Sequence, residues 1–145
     1  MEDISDGRWS LESRDENFDK FLECRSARWF LRSIMLKISA DVEFDLSEDK
    51  NVVTKKTFTS IRNAVYPMPI NEEFIPDKTL SGRKEIGRIF ETSGRKVIQE
   101  MRYENEDSPI ATIERHVVDD KMYVNLKCKD ILSQEVYKKI GPKSN

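Results

Sequence analysis

The stretch IATIERHVVDDKMYVNLKCKDILSQEVYK, residues 110–138, decides the fold. Its middle part alternates cleanly: Met122, Val124, Leu126 and Cys128 fall on one face, and Tyr123, Asn125, Lys127 and Lys129 on the other. That period of two marks a half-buried antiparallel strand with its apolar face inward. The turn VDDK joins it to IATIERHV, where Ala111, Ile113 and Val117 share the inward face with Arg115. A tight turn after Lys129 carries the alternation into the last strand. Ile131, Ser133, Glu135 and Tyr137 then face inward, and Leu132, Gln134 and Val136 outward. An interior that mixes an arginine, a glutamate, a serine and a tyrosine with aliphatic side chains is not a dry core. Apolar walls with a few placed polar groups are the profile of a ligand cavity.

The rest of the chain from Val42 onward repeats the pattern in short alternating runs split by polar turns, such as SEDKN, TSG and ENEDSP. Such spacing predicts an antiparallel meander in which sequence neighbours pair. Only residues 17–37 break the rhythm. Phe18, Phe21 and Leu22, then Phe30, Leu31, Ile34 and Met35, recur at helical spacing, with Ser26 as a candidate N-cap. The expectation is two short helices inserted after a first strand at GRWSLES. One helix pair cannot cover so many strands, and a large meander without a second layer closes into a barrel. Pro67 and Pro69, in YPMPINEEFIP, remove amide donors from the same strand edge. That edge is expected to face an open seam.

The 145 residues are read as one domain, residues 1–145, with a helical lid at about 17–37 and a frayed tail at 141–145. A formal net charge of −2 gives no reason to expect a nucleic-acid partner. The start MEDISDGRWS lacks the apolar stretch of a signal peptide, so the expected location is the cytoplasm, with the nucleus as a second site if the lid serves import. Cys24 and Cys128 are far apart in sequence with no CxxC partner and are expected as free thiols, with no metal site. His116, the single histidine, reads outward. Without a second histidine, a phosphate loop or a nucleophile–base pair, the chain is read as a non-enzyme needing no cofactor.

Several motifs, in order, resemble those of the intracellular lipid-binding proteins, the fatty-acid-binding and cellular retinoid-binding family. GRWSLES followed by NFDKFL is similar to the family's opening G-x-W-x-L and N-F-D signature. KKTFTSIRNA through NEEF resembles the T-F-K-N to E-E-F stretch, GRK resembles D-R-K, and residues 113–138 follow the last three strands. The resemblance implies an all-β, ten-stranded antiparallel up-and-down barrel with a helix-turn-helix lid and a gap between the fourth and fifth strands. It implies a monomeric carrier of a hydrophobic ligand, held in an internal cavity entered beneath the second helix.

In fatty-acid binders of the family, an arginine on the eighth strand and an R-x-Y pair on the last hold the carboxylate. Arg115 and Tyr137 match that set, whereas Glu135 stands where the second arginine would be. The expected head-group residues are therefore Arg115, Glu135 and Tyr137. Ile113, Val117, Met122, Val124, Leu126, Cys128 and Ser133 are the expected cavity lining. A glutamate repels a carboxylate by about 4 kcal/mol at ~4 Å and an effective dielectric near ~20, which suggests a preference for neutral head groups. A bulge could instead turn Gln134 inward, and a protonated Glu135 would still admit a carboxylate. Arg115 and Glu135 could also be a structural ion pair. In the lid, Arg25, Arg28 and Arg32 with Trp29 form a candidate surface for docking on anionic membranes, or merely a solvated helix face. The rival reading is the same fold used as a protein-interaction module with little lipid binding.

Overall fold

The computed structural model describes residues 3–93 and 95–144. The chain runs β1 (Arg8–Arg14), α1 (Phe18–Cys24), α2 (Trp29–Lys37), β2 (Asp41–Leu46), β3 (Val52–Phe58) and β4 (Asn63–Pro69). It continues through β5 (Glu73–Phe74), β6 (Glu85–Ser93), β7 (Lys96–Tyr103), β8 (Ala111–Val118), β9 (Lys121–Cys128) and β10 (Ile131–Gly141). The strands form one antiparallel sheet in the order β4-β3-β2-β1-β10-β9-β8-β7-β6-β5. Sequence neighbours pair throughout except at two places: β1 pairs with β10, and β4 is not laddered to β5. The sheet therefore curls into a nearly closed barrel with a gap between β4 and β5.

The prolines sit where the gap requires them. Ile70 donates its amide to Asn51 at the β3 end. Because amides alternate sides along a strand, Pro67 and Pro69 present their missing donors to the open edge. On the far side of the gap, Phe74 of β5 pairs with Gly87 of β6. A Cβ on Gly87 would stand 2.7 Å from the Phe74 ring, so only glycine admits that ring.

The core gathers Trp9, Phe44, Val53, Ile89, Val97 and Met122 from six strands, all essentially inaccessible to solvent. Trp9 donates its indole Nε1–H to the Ile4 carbonyl at 3.0 Å, which closes the N-terminal turn against the barrel. α1 buries Phe18, Phe21 and Leu22, each worth roughly 1.5–3 kcal/mol of apolar burial. α2 has no fully buried residue. Its expected cap also differs: Arg28 precedes the first turn, while Ser26 adopts φ 61 and reverses the chain between the helices.

The tail differs from the expectation of fraying. Gly141 still belongs to β10, Lys143 Nζ lies 3.0 Å from Asp45, and the Ser144 amide and hydroxyl both donate to Glu43 at 3.0 Å. Glu43 is buried, and an interior carboxylate must collect donors. Asn145 lies outside the described residues.

Candidate ligand-binding site

The ladder aligns one row of inward residues across five strands: Val97, Arg115, Val124, Glu135 and Arg14. Neighbouring strands are about 4.8 Å apart, so Arg115 and Glu135, with β9 between them, have backbones roughly 10 Å apart. Arg14 stands directly beside Glu135. It takes the glutamate: Nη2 lies 2.6 Å and Nε 2.8 Å from Oε2. The alternative of an Arg115–Glu135 ion pair is not formed, because Glu135 pairs with Arg14. Arg14 Nη1 also donates to the Met35 carbonyl at the end of α2, and its guanidinium lies 3.9 Å from the Phe18 ring centroid. One side chain ties the last strand to both helices.

Arg115 is only 4% exposed and reaches into the barrel. Its Nη1 donates to Gln99 Oε1 at 3.0 Å, and its guanidinium lies 5.4 Å from the Phe44 ring of β2. Burial lowers its pKa, an effect partly offset by Tyr137 and Glu135. It has no carboxylate partner within salt-bridge distance among the described residues.

Lys55 faces Phe44 across the β2–β3 ladder, on the same inward face as Val53. It makes no hydrogen bond or ion pair with a described residue. Burial first, then the nearby Arg115, lower its pKa to about 8, with Glu135 pulling the other way. Tyr137 is buried, and its hydroxyl makes no hydrogen bond to a described residue. Burial and Glu135 push its pKa well above the usual phenol value, against the pull of Arg14 and Arg115. The site is therefore three cations around one carboxylate, with a phenol left to donate.

Ile113, Val117, Met122, Val124 and Leu126 share the inward face with Arg115, as the alternation requires. Ser133 is buried but engaged, donating to Asp15 at 2.7 Å, while the Gln134 amide donates to the other Asp15 oxygen. The β9–β10 register is unbroken there, so Gln134 stays outside, where its side chain donates to Asn125. Cys128 lies under the end of α1, and Cys24 Sγ is 3.1 Å from its carbonyl oxygen.

The lid arginines do not form one exposed patch. Arg25 is 3% exposed and bound to Glu85, with Nη2 2.9 Å from Oε1, and Ser81 donates to the same carboxylate. Its Nε is buried without a hydrogen-bond partner among the described residues. Arg32 is held by Asp19 at 2.9 Å and Glu23 at 3.2 Å. Arg28 remains exposed beside the Phe30 ring, with Trp29 77% exposed. Of the three arginines, two are met by carboxylates of this chain, while Trp29 and Phe30 are exposed on α2. A groove of about 470 Å³ lies between residues 11–19 and 36–39, with Arg14 and Phe18 in its lining, and none of Lys55, Arg115 and Tyr137 lines it.

Sequence reading missed Arg14 and Lys55. Lys55 follows Val53 at the inward period and was legible. Arg14 was not: uninterrupted alternation from Trp9 through Leu11 and Ser13 would turn it outward, but a register shift between Leu11 and Ser13 brings it in.

No family model matches the chain. It is 24% identical to mouse cellular retinoic acid-binding protein 2 over 132 residues, covering 90% of this chain and 94% of that one. It is 25% identical to human fatty acid-binding protein 9 over 134 residues, 92% and 96% of the two chains. The chain is a homologue of the fatty-acid-binding and cellular retinoic acid-binding proteins. Among solved structures it superimposes on the REP1-NXSQ fatty acid transporter with a TM-score of 0.81 at 24% identity, covering 99% of this chain and all of that one. The Schistosoma mansoni fatty acid binding protein in complex with arachidonic acid gives 0.82 at 23%, covering 95% and 97%. These likenesses show that the chain has the same fold as those two structures.

Proposed function

We propose that this protein is a lipid carrier that encloses one long-chain ligand and anchors an acidic head group at Arg115, Lys55 and Tyr137. The observation that carries this reading is the pairing of Arg14 with Glu135. Counted alone, Glu135 argues for a neutral alcohol, ester or amide head. Counted with Arg14 it is already neutralised, which leaves Arg115 and Lys55 as excess positive charge beside a phenol with no hydrogen-bond partner among the described residues. A carboxylate would supply a charged acceptor for Arg115 and Lys55 and a partner for the phenol. The polar groups serve orientation and binding, and no nucleophile–base pair among them supports catalysis.

The exposed face of α2, with Trp29, Phe30 and Arg28, is the proposed site of transient contact with anionic membranes. The carrier acts as a monomer.

Displacement of a fluorescent fatty-acid probe from delipidated protein by oleate and by its neutral ethanolamide tests the reading. Tighter binding of oleate at pH 7 is the expected result. A win for the ethanolamide would restore the neutral-head preference. Failure of both would favour an interaction module.

A further inference from the structure

Cys24 and Cys128 are 104 residues apart in sequence yet meet in the fold. Cys24 is the last residue of α1 and is half-buried; Cys128 is the last residue of β9, buried, and fixed by pairing with Ala111 and Ile131 on either side. The Cys24 thiol donates to the Cys128 carbonyl at 3.1 Å, which places Cys24 Sγ against the backbone of the residue that carries the second thiol. The residue after Cys24 is Arg25, clamped to Glu85 of β6. The thiol pair therefore sits at the joint between the helices and the barrel.

We propose that Cys24 and Cys128 are a redox site that closes to an intramolecular disulfide and ties α1 to the end of β9. The oxidant is a small disulfide such as glutathione disulfide. The Cys24 thiolate attacks one of its sulfurs, that S–S bond breaks, and one thiolate leaves. The Cys128 thiolate then attacks Cys24 Sγ and expels the second. The two protein thiols are oxidised, the oxidant is reduced to two thiols, and the two protein protons pass through solvent to the departing thiolates.

The surroundings set the order of attack. Burial and the Cys24 contact push the Cys128 thiol up to about 12, against weaker pulls from Arg25 and Lys129, so Cys24 reacts first and ring closure is the slow step. The consequence for ligand exchange rests on the carrier reading. α1 is held by three buried side chains, whereas α2 has none. A covalent tie at the end of α1 leaves the hinge between them less room to swing.

The test has two parts, and the first is independent of lipid. Purified protein is equilibrated with oxidised or reduced glutathione, alkylated with iodoacetamide and weighed intact, then mapped by peptide. The expected product loses two hydrogens, accepts no label, yields a Cys24–Cys128 linked peptide and reverts with dithiothreitol. Closing so long a loop should raise Tm by roughly 5–10 °C. A persistent glutathione adduct on Cys24, or dimers linked between chains, overturns the proposal. Cys24→Ser, at a half-buried position, should show neither crosslink nor Tm shift. In the second part, fatty-acid probe release should be several-fold slower from oxidised than from reduced protein, with no change in C24S. Equal release from crosslinked and reduced protein overturns the effect on exchange, and absence of probe binding altogether overturns the carrier reading while leaving the disulfide result standing.

Discussion

Arg14 and Glu135 face each other across the β1–β10 ladder, 2.6 Å apart at their charged ends, near Arg115 and Lys55, neither of which has a carboxylate partner among the described residues. That relationship turns a residue that would repel an acid into part of a neutral pair. It also anchors the lid, because the same guanidinium holds the α2 carbonyl of Met35 and covers the Phe18 ring of α1.

Removing Arg14 should therefore destabilise the fold more than removing both partners. Arg14→Met strands a buried carboxylate and should cost about 3–5 kcal/mol, less whatever water reaching the half-buried arginine site recovers. Adding Glu135→Gln should restore most of the loss. Urea unfolding of the two variants checks this, and equal losses would show that the pair is not coupled.

Glu135→Gln alone should tighten oleate binding, since a negative charge leaves the site while Arg14 keeps its Met35 carbonyl. Arg115→Ala should weaken oleate binding by roughly 10- to 100-fold, the worth of a charge-assisted hydrogen bond, and leave the ethanolamide nearly unchanged. Competition against the fluorescent probe reads both.

Lys55 makes binding depend on pH. Its folded-state pKa of about 8 lies below the ordinary 10.5, so the empty site holds a proton at pH 7 and loses it above pH 8. Carboxylate affinity should fall as pH rises from 7 to 9 and stay flat in Lys55→Met. Stability moves the opposite way. The unfolded chain binds more protons between pH 8 and 10.5, so the penalty of the buried cation is full below pH 8 and fades across that window. Relative to K55M, the wild-type protein should gain stability there by chemical denaturation.

The Arg25–Glu85 clamp should behave as a buried pair. Arg25→Met leaves Glu85 unpaired beside Ser81 and should cost about 3–5 kcal/mol, while the double change Arg25→Met with Glu85→Gln should be much milder. Hydrogen exchange at residues 81–87 and in α2 will register whether the clamp also steadies the lid.

Transfer to membranes should depend on Trp29 and Phe30 more than on the arginines. Trp29→Ala should slow delivery of a fluorescent fatty acid to anionic vesicles by several-fold, whereas Arg32→Gln, whose charge is already met by Asp19 and Glu23, should change it little.

Alternation by itself determined the strands and their inward faces, because a side-chain period of two leaves one way to bury Met122, Val124 and Leu126. The same count carried Arg115, Glu135 and Tyr137 inside, and the spacing of Pro67 and Pro69 located the open edge. Pairings between distant segments were decided only in the tertiary structure. A single register shift in β1 turned Arg14 inward and gave Glu135 its partner, and the path of α1 brought Cys24 to Cys128. Arg25 looked like its neighbours Arg28 and Arg32 in sequence, but the fold set it against Glu85, sixty residues on. Periodicity reports which face a side chain takes. Which charge it meets depends on where the closed barrel brings remote strands and helices together.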